Sequence, residues 1–281
     1  MYSDSALTSL SPEEIRAFIV QRLKAALPGL PLETRYGEPY RLTLVHPEAG
    51  EMVLNLGNLV HEVRVATPRT AEHLVDTFVS LAQRAVAGPE VDLKKVYPGL
   101  RHRTFMDQAG QSLTDPLVGA GPGDLVSVVL SDQGEGVAIL TENMVQTAGH
   151  QSEDVLLAAE QNLVALLPQI FGELTGNDAV LSLSLQDHPW LGTSLLFVPS
   201  VISNAMSQMG WDRVLLAAPT REAVDLVDAS QRNAAKIMER HMLERLAGPR
   251  TQSEVVFSFE RNGTDYVKSH RMVDTELVRL N

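Results

Sequence analysis

Four ionisable residues whose types could support catalysis lie together in the last third of the chain: Arg221, Glu222, Asp225 and Asp228. On a helix, Asp225 and Asp228 would lie three residues apart on one face, where two carboxylates could hold Mg²⁺. On a strand they would lie on opposite faces, and the cluster would be a salt-bridged surface turn. Arg221, Asp225 and Asp228 are therefore the candidate catalytic residues of a metal-dependent hydrolase, with the surface turn as the alternative.

A second cluster of charge is basic. Five residues within a stretch of ten are Lys94, Lys95, Arg101, His102 and Arg103, in a chain whose formal net charge is −12. The cluster is either a solvated linker or a small site for an anion or an acidic partner. Because the net charge repels nucleic acid and anionic membranes at long range, neither is expected as a partner. Arg101 and Arg103 are candidate binding residues.

Another candidate is Trp190, in the short amphipathic stretch His188-Pro189-Trp190. A tryptophan in a loop either anchors a partner protein or covers the edge of the core, because its large ring buries much area in both cases. Trp190 is therefore a candidate binding residue for a protein partner, and core packing is the alternative.

Several chemistries have no support in the sequence. The chain has no cysteine, which excludes disulfides, thiolate metal sites and a cysteine nucleophile. No two of its histidines show the His-x-x-x-His spacing of a helical zinc site. The glycine-rich stretch 119–124 lacks Gly-Lys-Ser/Thr and precedes a strand, so it indicates a plain loop and no phosphate site. We expect no metal and no cofactor.

The elements that must position these residues fall into two groups. Ser11, Pro12 and Glu14 form a capping box that predicts a helix over 12–27. Alternation predicts strands over 32–36, 40–46 and 51–56, and an apolar stripe predicts a second helix over 68–86. Residues 1–90 are thus predicted to be an N-terminal α+β subdomain, with a boundary at 88–96.

The rest of the chain also alternates between predicted helices and predicted strands. Turn residues at 132–136 predict a hairpin between strands 125–130 and 137–141. Helices are predicted over 152–167, 201–209 and 232–247, strands over 180–185, 193–198, 213–218, 222–227 and 254–259, and a polar tail over 264–281. The predicted class is α+β: antiparallel sheets flanked by helices, in two subdomains with a chaperone-like helix-strand-helix outline.

Part of this pattern resembles a YtpQ-like bacterial family of unknown function. The resemblance covers residues 97–263, which we therefore treat as a YtpQ-like domain spanning 91–263. It rests on the order of these residues: Tyr97 to Arg101, Thr104 and Phe105, Ala138 to Glu142, Ala158, Asn162 and Leu163, Val214 to Glu222, and Asp228. It implies a cytosolic bacterial protein without an established activity, and a turn between two strands at 217–222.

These observations predict a non-enzymatic protein-binding or adaptor module, because no nucleophile constellation, metal spacing or phosphate loop is present. A metal-dependent hydrolase with a carboxylate and arginine site is the alternative. The first ten residues, MYSDSALTSL, have no basic region and no apolar core of a signal peptide, so the expected location is the cytoplasm. We expect a protein partner, and the sequence is compatible with a homodimer.

Overall fold

A computed structural model describes residues 7–34, 40–46, 50–87, 91–104, 117–134, 136–175, 179–248 and 251–280. These residues form helices and antiparallel sheets, which confirms the α+β class. They divide into two compact units. The first unit comprises Met1–Asp92, Gln108–Pro116 and Ser131–Gln151, and the second comprises Leu93–Asp107, Leu117–Leu130 and Ser152–Asn281.

The first unit packs three helices with a small sheet. The sheet has the order β1-β2-β3, with antiparallel neighbours. Its apolar core includes Ile15, Leu44 and Val75, from two of the helices and the central strand. The elements are α1 (Pro12–Ala26), β1 (Leu32–Thr34), β2 (Arg41–His46), β3 (Gly50–Asn55), α2 (Gly57–Val65) and α3 (Pro68–Ala87).

Helix α1 begins as predicted. The Ser11 hydroxyl accepts a hydrogen bond from the Glu14 N–H at 3.3 Å, and the Glu14 carboxylate accepts one from the Ser11 N–H at 2.9 Å. The bond from the Ser11 N–H, followed by a contribution from the Ser11 side chain, lowers the pKa of the Glu14 carboxyl. Helix α2 was not predicted. Its cap residue, Leu56, makes no side-chain capping bond, and its start is marked by Asn55, whose Oδ1 accepts a hydrogen bond from the Gly57 N–H at 3.0 Å.

Residues 131–151 pack with the first unit, whereas the sequence placed them in the later domain. They contain β7 (Val137–Ile139) and α4 (Glu142–Thr147). Arg84 of α3 donates to the carbonyl of Gln133 at 2.9 Å. A side chain at Gly136 would collide with Leu81 of α3, so glycine permits this close approach.

The second unit is built on a seven-stranded antiparallel sheet with the order β14-β13-β12-β10-β11-β9-β8. A smaller sheet has the order β4-β6-β5. The strands are β4 (Val96–His102), β5 (Val118–Ala120), β6 (Leu125–Asp132), β8 (Ile170–Thr175), β9 (Val180–Leu185), β10 (Arg213–Ala217), β11 (Val224–Asp228), β12 (Val255–Glu260), β13 (Val267–Val273) and β14 (Glu276–Arg279). The helices are α5 (Ser152–Leu166), α6 (Pro199–Met209) and α7 (Ala234–Leu246).

Helix α7 covers one face of the large sheet. Met238 and Met242 of α7 pack there with apolar residues of the central strands such as Val227. Along the same face, Ser182, Asp225, Ala217 and Val256 lie side by side in the registers of β9, β11, β10 and β12. Two polar side chains thus stand in a face that is otherwise apolar.

Two predictions differ from the structure. Residues 193–198 were predicted as a strand, but they lie within a 3-10 helix over Pro189–Phe197 and the residue after it. Its six residues 191–196 are all buried, and a continuous buried run has no period that separates strand from helix. Residues 264–281 were predicted as a polar tail, yet they contain β13 and β14 at the edge of the sheet. Because edge strands have a solvent-facing side, their sequences contain many polar residues.

Parts of other predictions fall outside the described residues: positions 35–36 of the first strand, 88–90 of the boundary, Phe105 of the family resemblance and position 135 of the hairpin turn. No helix among the described residues combines the length and apolarity that crossing a membrane requires.

Candidate functional site

The candidate residue Arg101 lies near the carboxyl end of β4, where its side chain is only 7% exposed. Its Nη1 donates to the carbonyl of Leu100 at 2.7 Å. The same carbonyl accepts a hydrogen bond from the side-chain amide of Gln252. The backbone N–H of Gln252 donates to the carbonyl of Pro219 at 2.7 Å. These bonds join the end of β4 to the segment before β12 and to the turn between β10 and β11.

Arg221 lies in that turn, which the family resemblance places correctly between two antiparallel strands. The 3-10 helix over Pro189–Phe197 contacts the turn. The Thr193 N–H donates to the carbonyl of Arg221 at 3.2 Å, and a Cβ at Gly192 would collide with the carbonyl oxygen of Glu222. Glycine at 192 therefore allows the contact that fixes the turn.

Arg101 and Arg221 lie close enough for their charges to repel. Burial, and to a lesser extent the charge of Arg221, lowers the pKa of Arg101 to about 10. No carboxylate of the described residues lies within ion-pair distance of Arg101. A buried cation that lacks a counter-charge is costly to fold. The arrangement therefore favours an anion beside Arg101.

Two hydroxyl groups next to this turn are also unsatisfied. Thr193 and Ser194 are 1% and 0% exposed, and their hydroxyl oxygens have no hydrogen-bond partner among the described residues. Buried hydroxyl groups are normally hydrogen-bonded. They add potential donors to the segment that holds the Arg221 turn.

Trp190 lies half-buried on the same 3-10 helix. Its ring meets that of Tyr97 edge-on, with the centroids 5.7 Å apart, and lies 6.1 Å from that of His188. Tyr97 belongs to β4, the strand that carries Arg101. The core-packing interpretation accounts for these contacts, and the exposed part of the indole remains open to solvent.

The other predicted residues do not join Arg101 and Arg221 in this way. Arg103 is exposed, and its backbone N–H donates to the carbonyl of Asp124 at 2.9 Å. Asp228 ends β11 and accepts hydrogen bonds from the N–H and the hydroxyl of Ser230, at 2.9 and 2.7 Å. Because Asp225 and Asp228 lie three residues apart on one strand, they lie on opposite faces. They form no paired-carboxylate site.

Asp225 is instead the centre of a buried polar cluster. It is 1% exposed, and its Oδ1 accepts a hydrogen bond from Ser182, its cross-strand neighbour, at 2.6 Å. His241 of α7 lies 3.0 Å from Oδ2, and Nη2 of Arg245 lies 3.7 Å from Oδ1. These partners partly compensate the buried carboxylate, but Oδ2 itself accepts no hydrogen bond from the described residues.

The sequence analysis missed His241 and Arg245. They are four residues apart, so that they share one face of α7. A search for any ionisable pair at helical spacing would have found them. It would not have identified Asp225 as their partner, because that contact depends on how α7 packs on the sheet.

Comparisons with known proteins add nothing to this geometry. No protein-family model matches the chain, and no curated protein or solved structure matches it. The resemblance to the YtpQ-like family and the cytoplasmic location therefore remain predictions.

Proposed function

We propose that the protein is a non-enzymatic binding module, and that its second unit takes an anionic group of a partner protein between Arg101 and Arg221. One observation carries the proposal. The Arg101 guanidinium is buried beside a second arginine, and no described carboxylate forms an ion pair with it.

An anion is the chemistry that this arrangement best accommodates. The arginine side chain stays charged and presents its N–H groups in a planar fork that matches carboxylate and phosphate oxygens. A bound anion would offset the repulsion between Arg101 and Arg221. The low polarity around Arg101 would strengthen those contacts relative to water.

A protein segment suits the surroundings better than an isolated anion does. Lys95 and Arg103 are exposed near the two ends of β4, and they extend the positive charge beyond the buried pair. The exposed part of Trp190 adds an apolar contact beside Tyr97 of the same strand. An acidic segment with a nearby apolar side chain would use all three features.

The hydrolase alternative lacks this support. It required Arg221, Asp225 and Asp228 to share one site. Asp225 turns towards α7, and Asp228 caps the backbone of Ser230. Within the described ranges, no group of three histidine, aspartate or glutamate side chains is arranged to hold a metal ion.

Binding can be tested with a fluorescent decaglutamate peptide and anisotropy at a fixed salt concentration. We expect the wild type to bind the peptide and Arg101→Met to bind it about 30-fold or more weakly, because losing a desolvated charge contact costs about 2 kcal/mol or more. Arg232→Met is the matched control, since it removes the same charge from an exposed position.

The comparison between the two variants decides the outcome. Loss confined to Arg101→Met supports a site at the arginine pair. Equal weakening in both variants would mean that only long-range charge attracts the peptide, and it would refute the site. The absence of peptide binding to the wild type at any salt concentration would refute the proposal as well.

A further inference from the structure

Strand β8 forms one edge of the seven-stranded sheet. It pairs with β9 on one side, and no strand of the described residues pairs with it on the other. Phe171 and Leu174 of this strand are 52% and 39% exposed. The strand contains a single charged residue, Glu173, and no proline. Charges, prolines or covering segments usually protect an edge from pairing with another strand, so this edge is a template for such pairing.

The pairing with β9 determines which backbone groups of β8 face the open side. The Gln186 N–H donates to the carbonyl of Gln169 at 3.3 Å, and the same register continues along both strands. In an antiparallel pair, alternate residues turn their N–H and C=O groups towards the partner strand. The odd-numbered residues of β8 therefore bond to β9, whereas residues 170, 172 and 174 present their backbone groups to the open side.

A second copy of β8 can bond to all of these groups. We consider two antiparallel copies related by a two-fold axis at Gly172. Gly172 then lies opposite Gly172 of the partner subunit, and Ile170 lies opposite Leu174 of the partner subunit. Each of these pairs exchanges two backbone hydrogen bonds. No other position of the axis pairs all three residues of both copies.

The odd-numbered side chains of β8 lie on the face of the sheet that α7 covers. Ser182 of β9 belongs to that face, where it donates to Asp225, and Glu173 is its neighbour in the register. Because side chains alternate along a strand, Phe171 and Thr175 lie on the same face. Gln169 follows the same alternation, since its carbonyl continues the ladder to Gln186.

These side chains complement each other about the same axis. Gln169 lies opposite Thr175 of the partner subunit, and both Oε1 of Gln169 and Oγ1 of Thr175 have no hydrogen-bond partner among the described residues. A turn of the threonine side chain lets its hydroxyl donate to that oxygen, twice by symmetry. Phe171 lies opposite Glu173 of the partner subunit, and the two Phe171 rings lie diagonally across the axis, within reach of each other.

These matches favour a second copy over an unrelated strand. The unsatisfied acceptor and the unsatisfied hydroxyl lie at opposite ends of one strand, which is the arrangement that a two-fold axis requires. Pairing β8 with β14, at the other end of the sheet, would produce an open-ended chain of molecules, whereas β8 paired with itself closes a dimer.

We propose that the protein forms a homodimer in which the β8 strands of two copies pair antiparallel about Gly172. The two seven-stranded sheets become one continuous sheet. The interface uses no residue of the arginine pair, so it is independent of the proposed anion site.

A single introduced cysteine tests the register, because the chain contains no cysteine. In Gly172→Cys the two cysteines face each other with Cα atoms about 5.5 Å apart, which a disulfide can span. A Cβ at residue 172 makes only ordinary contacts with Leu181 and Leu183, so the variant should fold. Mild oxidation should therefore cross-link the full chain into dimers. Ile170→Cys is the matched control, since its two cysteines would lie about 13 Å apart along the strands.

Sedimentation velocity measures the dimer without oxidation. We expect the wild type to dimerise. Phe171→Glu places a carboxylate opposite Glu173 of the partner subunit twice, so it should weaken the dimer about tenfold or more. Phe171→Lys removes the same ring but places a positive charge there, so it should weaken the dimer less. Val278→Glu, at an exposed position of β14, should leave the dimer unchanged.

Circular dichroism first confirms that each variant is folded. Cross-linking of Gly172→Cys without cross-linking of Ile170→Cys, together with dissociation by Phe171→Glu, supports the dimer. A wild type that stays monomeric at its highest soluble concentration would overturn it. Equal cross-linking of both cysteine variants, equal weakening by Phe171→Glu and Phe171→Lys, or dissociation by Val278→Glu alone would also overturn it. Growth beyond the dimer would indicate pairing between β8 and β14 and would overturn it as well.

Discussion

Replacing Arg101 with methionine should stabilise the protein, although it removes the residue on which binding depends. Burial, and to a lesser extent the charge of Arg221, lowers the pKa of Arg101 from its ordinary value to about 10. Since one pKa unit corresponds to ~1.4 kcal/mol, burying the charged form costs roughly 3 kcal/mol. Methionine matches the aliphatic part of the arginine side chain and carries no charge, so this penalty disappears in Arg101→Met.

The hydrogen bond lost in this variant offsets part of the gain. The bond from Nη1 to the Leu100 carbonyl contributes about 1 kcal/mol, and that carbonyl keeps its bond from Gln252. The expected net effect is a rise of about 1–3 kcal/mol in the free energy of unfolding. In thermal melts this corresponds to roughly 2–4 °C per kcal/mol for a unit of this size.

Urea unfolding followed by tryptophan fluorescence measures the effect in the second unit, because both tryptophans of the chain, Trp190 and Trp211, belong to that unit. Arg101→Lys retains the charge and should not gain this stability. Arg232→Met, at an exposed position, should change it by less than about 0.5 kcal/mol. A loss of 2 kcal/mol or more in Arg101→Met would show that the chain itself satisfies the buried charge, and the reasoning would fail.

Three further predictions use the same assay. Asp225→Ala should lower the free energy of unfolding by about 1–3 kcal/mol, because it leaves Ser182 and the partly exposed His241 and Arg245 without their acceptor, and a change below about 0.5 kcal/mol would mean that water already screens the cluster. Gly192→Ala should destabilise the second unit and weaken decaglutamate binding, because the new Cβ collides with the Glu222 carbonyl. Unchanged binding would mean that the contact at Gly192 does not help to position the arginine site. Burial, followed by the charge of Arg279, lowers the pKa of His270, so the unfolded chain binds the proton first. The wild type should therefore lose stability as the pH falls below 6.5 until the folded histidine is protonated too. His270→Gln should show a smaller slope over that interval, and an equal slope would contradict the assignment.

Local signals in the sequence predicted the elements that local physics controls. The capping box at Ser11 marked the start of α1, because the bonds that define it join residues three apart. The α+β class was also predicted, since strand alternation acts over short distances, whereas the turn at Arg221 was expected only from the family resemblance. The first unit was predicted less well at residues 131–151, which join it only through packing on α3.

The site depends on contacts between distant parts of the chain, so the sequence could show only its components. Arg101 and Arg221 were both candidates, but their approach depends on bonds such as that from Gln252 to Leu100. The 3-10 helix that holds the turn was predicted as a strand, because its residues 191–196 are all buried and a continuous buried run has no period that separates strand from helix. His241 became relevant only when α7 placed it against Asp225.

The central claim, that an anionic group binds at the buried arginine pair, is tested most directly by NMR of the arginine side chains during titration with the acidic peptide. We predict that the Nε–Hε resonance of Arg101 shifts on binding, together with the backbone amides of Thr193 and Gln252, and that the Arg232 resonance does not move. Peptide binding that leaves the Arg101 resonance unchanged would contradict the claim.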